Sequence, residues 1–295
     1  MDLGIGLPNA VPGTTGKQLT DFARAADEAG FSVLGTIDRL VYPNYEPLMA
    51  LAAAAAVTDR IRLATSVMLG PLRGNAALVA KQILSLDALA GGGRAVLGVA
   101  AGARDDDYEI SNLHMKNRGD WLDSACEEIT RIWKGEGELE SKVGPRPAGN
   151  GPSLIVGGSV QASFERAARF ADGWIQGGAG PDQFAEDSKT LDEAWKKAGR
   201  KGKPHKMALA YFSLGPDAEK NAHDYLPHYY EWLGDETAKM IATSAAKDAD
   251  TVKQYMSAYE GAGCDELILF PSSSDPEQVG FLADAAGLGA GVSAG

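Results

Sequence analysis

The feature that most constrains this chain is a periodicity that switches from strand to helix eight times, always strand first. Short aliphatic and β-branched runs at 3–7, 31–37, 61–68, 95–100, 154–156, 173–176, 206–214 and 266–270 are each followed by helical spacing. After the first run, Leu19, Phe22, Ala23 and Ala26 recur at three- and four-residue intervals. Thr14 or Thr15 offers that helix a side-chain cap, and Gly30 supplies its stop. Asn75 caps a helix predicted to reach Leu89, with Val79, Ile83 and Leu86 on one face, and Gly91-Gly92-Gly93 breaks it. Further helices are predicted over 47–57, 118–133, 162–170, 182–198 and 276–286, and 217–260 reads as several helical stretches. The 118–133 helix buries a stripe of Leu122, Ala125, Ile129, Ile132 and Trp133.

Eight such units in 295 residues match one closed ring better than an open doubly wound sheet. The open sheet's G-x-G-x-x-G turn is missing, because Gly4-Ile5-Gly6 falls inside the first strand. The predicted fold is α/β: a single (β/α)8 TIM-type barrel over 1–287 with insertions in the βα loops, and a flexible C-terminal tail over 288–295. Residues 141–152, SKVGPRPAGNGP, read as an exposed loop.

Charge narrows the partners. The net charge of −12 argues against nucleic acid or an anionic membrane surface. Met1 to Pro8 has no basic start, and the apolar run 48–57 is too short to span a bilayer, so a cytoplasmic location is expected. Cys126 and Cys264 lie far apart and read as reduced core residues. His114, His205, His223 and His228 show no ligand spacing, and no metal is expected.

In such a barrel, chemistry sits on the loops at the strand C-termini. The strongest local signal there is Ile155-Val156-Gly157-Gly158-Ser159, a buried strand running into two glycines, a serine and a helix. Glycines let backbone N–H groups approach an anion, and a helix start adds positive potential. Two readings stand side by side: a phosphate cradle, or a tight turn with Ser159 as a simple N-cap. Ala64-Thr65-Ser66-Val67-Met68 before Gly70-Pro71-Leu72-Arg73 says by itself only that a strand stops near Gly70. Asp38-Arg39 is either a hydrogen-bonding acid with a cation for a developing anion, or a surface ion pair. The acidic run Asp105-Asp106-Asp107 after Gly102 reads as a helix first turn. Tyr225, Pro227, His228, Tyr229 and Trp232 form an aromatic stripe that either lines an apolar pocket or packs on the barrel.

Together these pieces resemble the luciferase-like monooxygenase superfamily of flavin- and F420-dependent enzymes. The carriers are RIRLATSVMLGPLRGNAALVAKQILSLDALAGGGRAVLGVAAG (60–102), PSLIVGGS (152–159), AARFADGWIQGG (167–178) and AADEAGFSVLGTIDRL (25–40). The resemblance implies a non-proline cis peptide at Ser66-Val67 beneath a tricyclic ring. It implies phosphate contacts from Gly157, Gly158 and Ser159, and cofactor contacts from Asp38, Gly102, Gly177 and Gly178. Relatives often carry histidine where this chain has Arg39, and tryptophan where it has Ala103. Arg39 stays protonated, so its expected catalytic role is to stabilise an anionic reduced cofactor rather than to shuttle a proton.

The leading expectation is a monooxygenase using FMN, its reduced form supplied by a separate flavin reductase, and acting on a small organic substrate. The first alternative is an F420-dependent reductase or dehydrogenase, with Arg73, Arg104 and Arg146 as candidate contacts for a longer anionic tail. The second is a non-catalytic flavin-binding protein. A homodimer is expected from the resemblance.

Overall fold

Local chemistry starts the elements where the spacing predicts. In helix α1 (Gly16–Ala29) the Thr15 hydroxyl accepts from the Gln18 N–H at 3.2 Å. The Gln18 side chain answers by accepting the Thr15 N–H at 2.9 Å. This reciprocal pair satisfies two donors that a helix start otherwise leaves open. Gly30, at φ 86°, closes the other end. The Thr14 hydroxyl donates instead to the carbonyls of Pro8 and Val11. The computed structural model describes residues 1–147 and 151–288.

Nine strand segments form one all-parallel sheet. Strand β1 (Asp2–Gly6) lies between β2 (Val33–Thr36) and the last strand, β9 (Glu266–Pro271). From β2 the order runs to β3 (Arg62–Thr65) and, across a closing pair, to β5 (Ala95–Ala100). It continues through β6 (Ser153–Gly157), β7 (Gly173–Gly177) and β8 (His205–Phe212) back to β9. The two-residue β4 (Met68–Leu69) pairs with β5 and continues the line of β3, so the ring has eight positions and no free edge.

The third run, expected as one strand over 61–68, is therefore two pieces. They part at Ser66-Val67, whose peptide is cis. At the closing seam the Thr65 hydroxyl donates to the Gly98 carbonyl at 2.7 Å and accepts the Gly98 N–H at 3.0 Å. A Cβ on Gly98 would stand 2.1 Å from the Thr65 carbonyl oxygen, so the strands meet this closely only around glycine.

Helices α2 (Pro47–Ala55), α3 (Ala76–Leu89), α5 (Arg118–Lys134), α6 (Gln161–Phe170), α7 (Pro181–Lys197), α10 (Ala249–Gly261) and α11 (Glu277–Ala286) surround the ring. The main core lies between them and the strands. A second cluster fills the ring with Val33, Ala64, Val96, Ile155, Met207 and Ile268, among others. Tyr225, Leu226 and Tyr229 of α8 (Ala218–Tyr229) join that cluster with Ala242 of α9 (Asp235–Ser244). The 217–260 stretch thus divides into an inserted pair, α8 and α9, and the ring helix α10. The acidic run opens a short helix, α4 (Asp105–Ile110). Leu288 packs, partly buried, against the core, and the rest of the expected tail, 289–295, lies outside the described residues. Among the described residues no helix is long and apolar enough to cross a membrane.

Candidate functional site

A cavity of about 650 Å³ opens at the strand C-termini, a size that suits a cofactor together with part of a substrate. Asp38, Arg39, Ser66, Val67 and Gly102 line it. So do Gly157, Gly158, Ser159 and Gly177, from the ends of β6 and β7. Gly178, one residue further on, is not part of the wall.

One side of the cavity is a cradle for anions. Gly158 has φ 123°, and a Cβ there would stand 2.6 Å from the Ser163 hydroxyl oxygen. The next helix, α6, begins one residue later than a Ser159 cap requires: Val160 is its N-cap, and no side chain caps it. The simple capping role weighed for Ser159 is thus not what the structure shows. Helix α5 also starts without a side-chain cap, at Asn117, and its first residues Arg118 and Gly119 line the same cavity. The start of α6 therefore turns N–H groups without a side-chain cap toward this space, and α5, whose Arg118 N–H is taken by the Met115 carbonyl, brings Arg118 and Gly119 to it.

Cations gather on this side. Arg166 of α6 is 5% exposed, pairs with Asp123 and donates to the Gly119 carbonyl at 3.1 Å, tying α6 to α5. Arg104 pairs with Asp106 at 2.7 Å and Asp107 at 3.1 Å, while its Nη1 is buried with no partner. Lys116 and Arg118 line the cavity without a carboxylate partner among the described residues. Of the three arginines expected near a long anionic tail, only Arg104 is in place. Arg73 is held by Asp38 and Glu46, both at 2.7 Å. Arg146 donates to the Ile132 and Trp133 carbonyls at the end of α5.

The opposite wall is aromatic and positions the remaining expected residues. Arg39 is buried, donates to the Tyr229 carbonyl at 2.8 Å and the Val41 carbonyl at 3.1 Å, and stacks on Tyr42 at 4.3 Å. Its Nε is buried without a partner. Asp38 accepts the Leu69 N–H at 2.9 Å besides its bond to Arg73, which pins β4 beside β2. Buried Asp107 accepts the N–H groups of Leu40 and Val41, so α4 holds the loop carrying Arg39. Tyr229 and Trp232 of the predicted stripe reach the cavity, whereas Tyr225 packs in the second core. The His228 ring meets the Tyr42 hydroxyl at 3.0 Å, at the edge of this wall. Burial and the charge of Glu231 push the Tyr42 phenol up to about 12.

Tyr211 and Tyr230 also line the cavity and were not singled out in the sequence. Neither were Lys116, Arg118 and Arg166. A signal existed for Lys116 and Arg118: cations at a helix start oppose the helix dipole and suggest an anion nearby.

The model of the luciferase-like monooxygenase family matches residues 1–281. The chain belongs to that family. This luciferase-like protein is 34% identical over 221 residues to an uncharacterized protein of Mycobacterium tuberculosis (strain ATCC 25618 / H37Rv), covering 62% of this chain and 75% of that one. It is 29% identical over 204 residues to the F420-dependent glucose-6-phosphate dehydrogenase of Nakamurella multipartita, covering 63% of this chain and 60% of the dehydrogenase. Among solved structures, an F420-dependent secondary alcohol dehydrogenase in complex with an F420–acetone adduct superposes with a TM-score of 0.81 at 16% identity, over 97% of this chain and 98% of that one. The monooxygenase RslO1 from Streptomyces bottropensis superposes with a TM-score of 0.76 at 22% identity, over 98% and 97%. Both share the fold with this luciferase-like protein, and a shared fold does not by itself fix the reaction.

Proposed function

We propose that this protein is an F420-dependent oxidoreductase that moves a hydride between the deazaflavin and a small organic substrate. The observation that carries this reading is the pair of helix starts without a side-chain cap, with Lys116 and Arg118, two cations left without carboxylate partners among the described residues. FMN brings a single phosphate, which the Gly157-Gly158-Ser159 turn and the α6 start can serve on their own. F420 brings a phosphate and a longer anionic tail, and the additional cations fit that tail.

The residues present fit such a group. The turn at Gly158 is open because no side chain fills it, and Arg104 Nη1 and Arg39 Nε are buried donors without partners among the described residues. In this reading Gly157, Gly158, Ser159 and the α6 start hold the phosphate, and Lys116 and Arg118 hold the tail. Ser66 and Val67 form the floor beneath the ring, with Gly102 and Gly177 at its rim. Asp38 keeps β4 in register beneath it, and Arg39 carries positive charge beside it. When bound, F420 supplies the carbon that gives or takes the hydride. The protein supplies orientation, a largely apolar wall and exclusion of water.

Equilibrium titration against F420 and FMN tests this. The expected result is tighter binding of F420 by about tenfold or more, a difference of about 1.4 kcal/mol, with substrate reduction driven by F420H2. Preferential retention of FMN, with oxygen uptake that needs both FMNH2 and substrate, would make the protein a monooxygenase instead.

A further inference from the structure

Two phenols meet in the cavity wall. The hydroxyl oxygens of Tyr211, near the end of β8, and Tyr230, just past α8, lie 2.7 Å apart. Their rings stand edge to face with centroids 5.9 Å apart, and both residues line the cavity. Two hydroxyls carry two protons, and one O···O contact uses only one of them. Among the described residues neither oxygen has a second partner, so one O–H is left with no protein acceptor. A donor in a desolvated wall is costly unless a polar atom meets it.

Of the other polar groups there, the Lys116 ammonium lies exposed just before α5, where the reading above gives it to the cofactor's tail, and the rest are unsuited to deliver a proton. The Asp38 carboxylate is engaged by the Leu69 N–H and Arg73. The arginines stay protonated, and the serine hydroxyls are weaker acids than a phenol. No histidine lines the cavity among the described residues.

The geometry points to Tyr230 as the proton donor to the oxygen of a small carbonyl substrate, with Tyr211 as the positioning residue that supports it. This rests on the hydride-transfer reading above. The roles within the pair follow from the surroundings. Burial pushes the Tyr230 phenol up to about 12, and the hydrogen bond from Tyr211 works against a larger rise. Burial, with Tyr230, Tyr225 and Tyr229 around it, pushes Tyr211 well above its ordinary value. Tyr230 is only partly buried where Tyr211 is buried, so Tyr230 is the phenol that a substrate reaches, and Tyr211 stands behind it as its hydrogen-bond donor.

A phenol this reluctant to ionise is a poor base at neutral pH. It still gives its proton to an alkoxide, which is more basic than phenolate. Its neutral form therefore suits the acid's part in carbonyl reduction. In that reduction one C–H bond forms from a hydride, which reduced F420 supplies, and the C=O π pair moves to oxygen. The Tyr230 O–H breaks as the new O–H forms, and the phenolate recovers its proton from water.

Cyclohexanone is the probe. Its carbonyl infrared band should move to lower frequency on the cofactor-free protein, remain shifted to a smaller degree in Tyr211→Phe, and return to its unbonded position in Tyr230→Phe. With F420H2 present, Tyr230→Phe should lower kcat for cyclohexanone reduction about 100-fold, with KM changed far less, and F420 affinity unchanged. No bound carbonyl band, the same band in the parent and Tyr230→Phe, or an undiminished kcat overturns the donor role. A parent protein that shifts the band but binds no F420 overturns the cofactor reading and leaves the hydrogen-bond donor standing.

Discussion

Gly158 shows how much of a site can hang on a missing atom. At φ 123° an L side chain is strained, and the Cβ would press on the Ser163 hydroxyl at 2.6 Å. Gly158→Ala should cost about 1–2 kcal/mol of stability, read by urea denaturation. It should also weaken F420 binding about tenfold or more by displacing the backbone that meets the phosphate. F420 affinity equal to the parent's would remove the turn from the phosphate site. The turn was legible in the sequence as paired glycines between a buried strand and a helix, but the spacing left open whether it was a phosphate cradle or a simple turn. Ser66, Val67, Asp38, Arg39, Gly102 and Gly177 were legible through the resemblance, and all reach the cavity wall. Gly178 does not, since the wall ends one residue earlier. Arg73 and Arg146 looked available because sequence shows a cation but not what already holds it.

At the scale of elements, the start of α5 is the informative feature. A helix that opens on Arg118, with Lys116 just before it, sets two cations against the positive end of its own dipole. That cost is offset when an anion binds between them. The double substitution Lys116→Ala with Arg118→Ala should weaken F420 binding about tenfold or more, flatten its salt dependence, and raise the melting temperature slightly in the absence of cofactor. Fluorescence titration at low and high salt measures the first two effects. Unchanged F420 affinity would leave the tail without these partners. FMN, lacking the tail, should bind both proteins alike. Helix and strand positions were legible almost throughout, because caps such as Thr15 and Asn75 and stops such as Gly30 act on their immediate neighbours. The break between β3 and β4 was not legible from spacing, since apolar alternation runs straight through Ser66-Val67.

At the scale of the whole molecule, the N-terminal mouth of the barrel is fastened by Glu266. This fully buried residue opens β9, and it takes bonds from Ser32, from Arg62 at the start of β3, and from His205 at the start of β8. Burial raises its carboxyl pKa, but the His205 hydrogen bond, the Arg62 charge and the Ser32 hydroxyl together bring it below its ordinary 4.5. A carboxyl depressed on folding contributes stability that is complete above that ordinary value and is lost as pH falls through the folded one. Glu266→Gln should therefore cost about 3 kcal/mol at neutral pH, and its deficit should shrink as pH drops below 4.5. Urea denaturation of both proteins across that range checks this, and a deficit independent of pH would refute the assignment. By itself the amino-acid order determined the eight-fold alternation, and hence the barrel, because apolar spacing, caps and glycine stops are relations between near neighbours. It also marked the glycine turn at 157–159 as one of two things, a phosphate cradle or a simple turn, because that turn is one contiguous stretch. Only the closed ring decided that Lys116, Arg166, Tyr211 and Tyr230 share a cavity. Those residues sit on β8, on α6 and on the segments that follow β5 and β8, mostly far apart in the chain, and curvature of the sheet, which no local pattern encodes, brings them together.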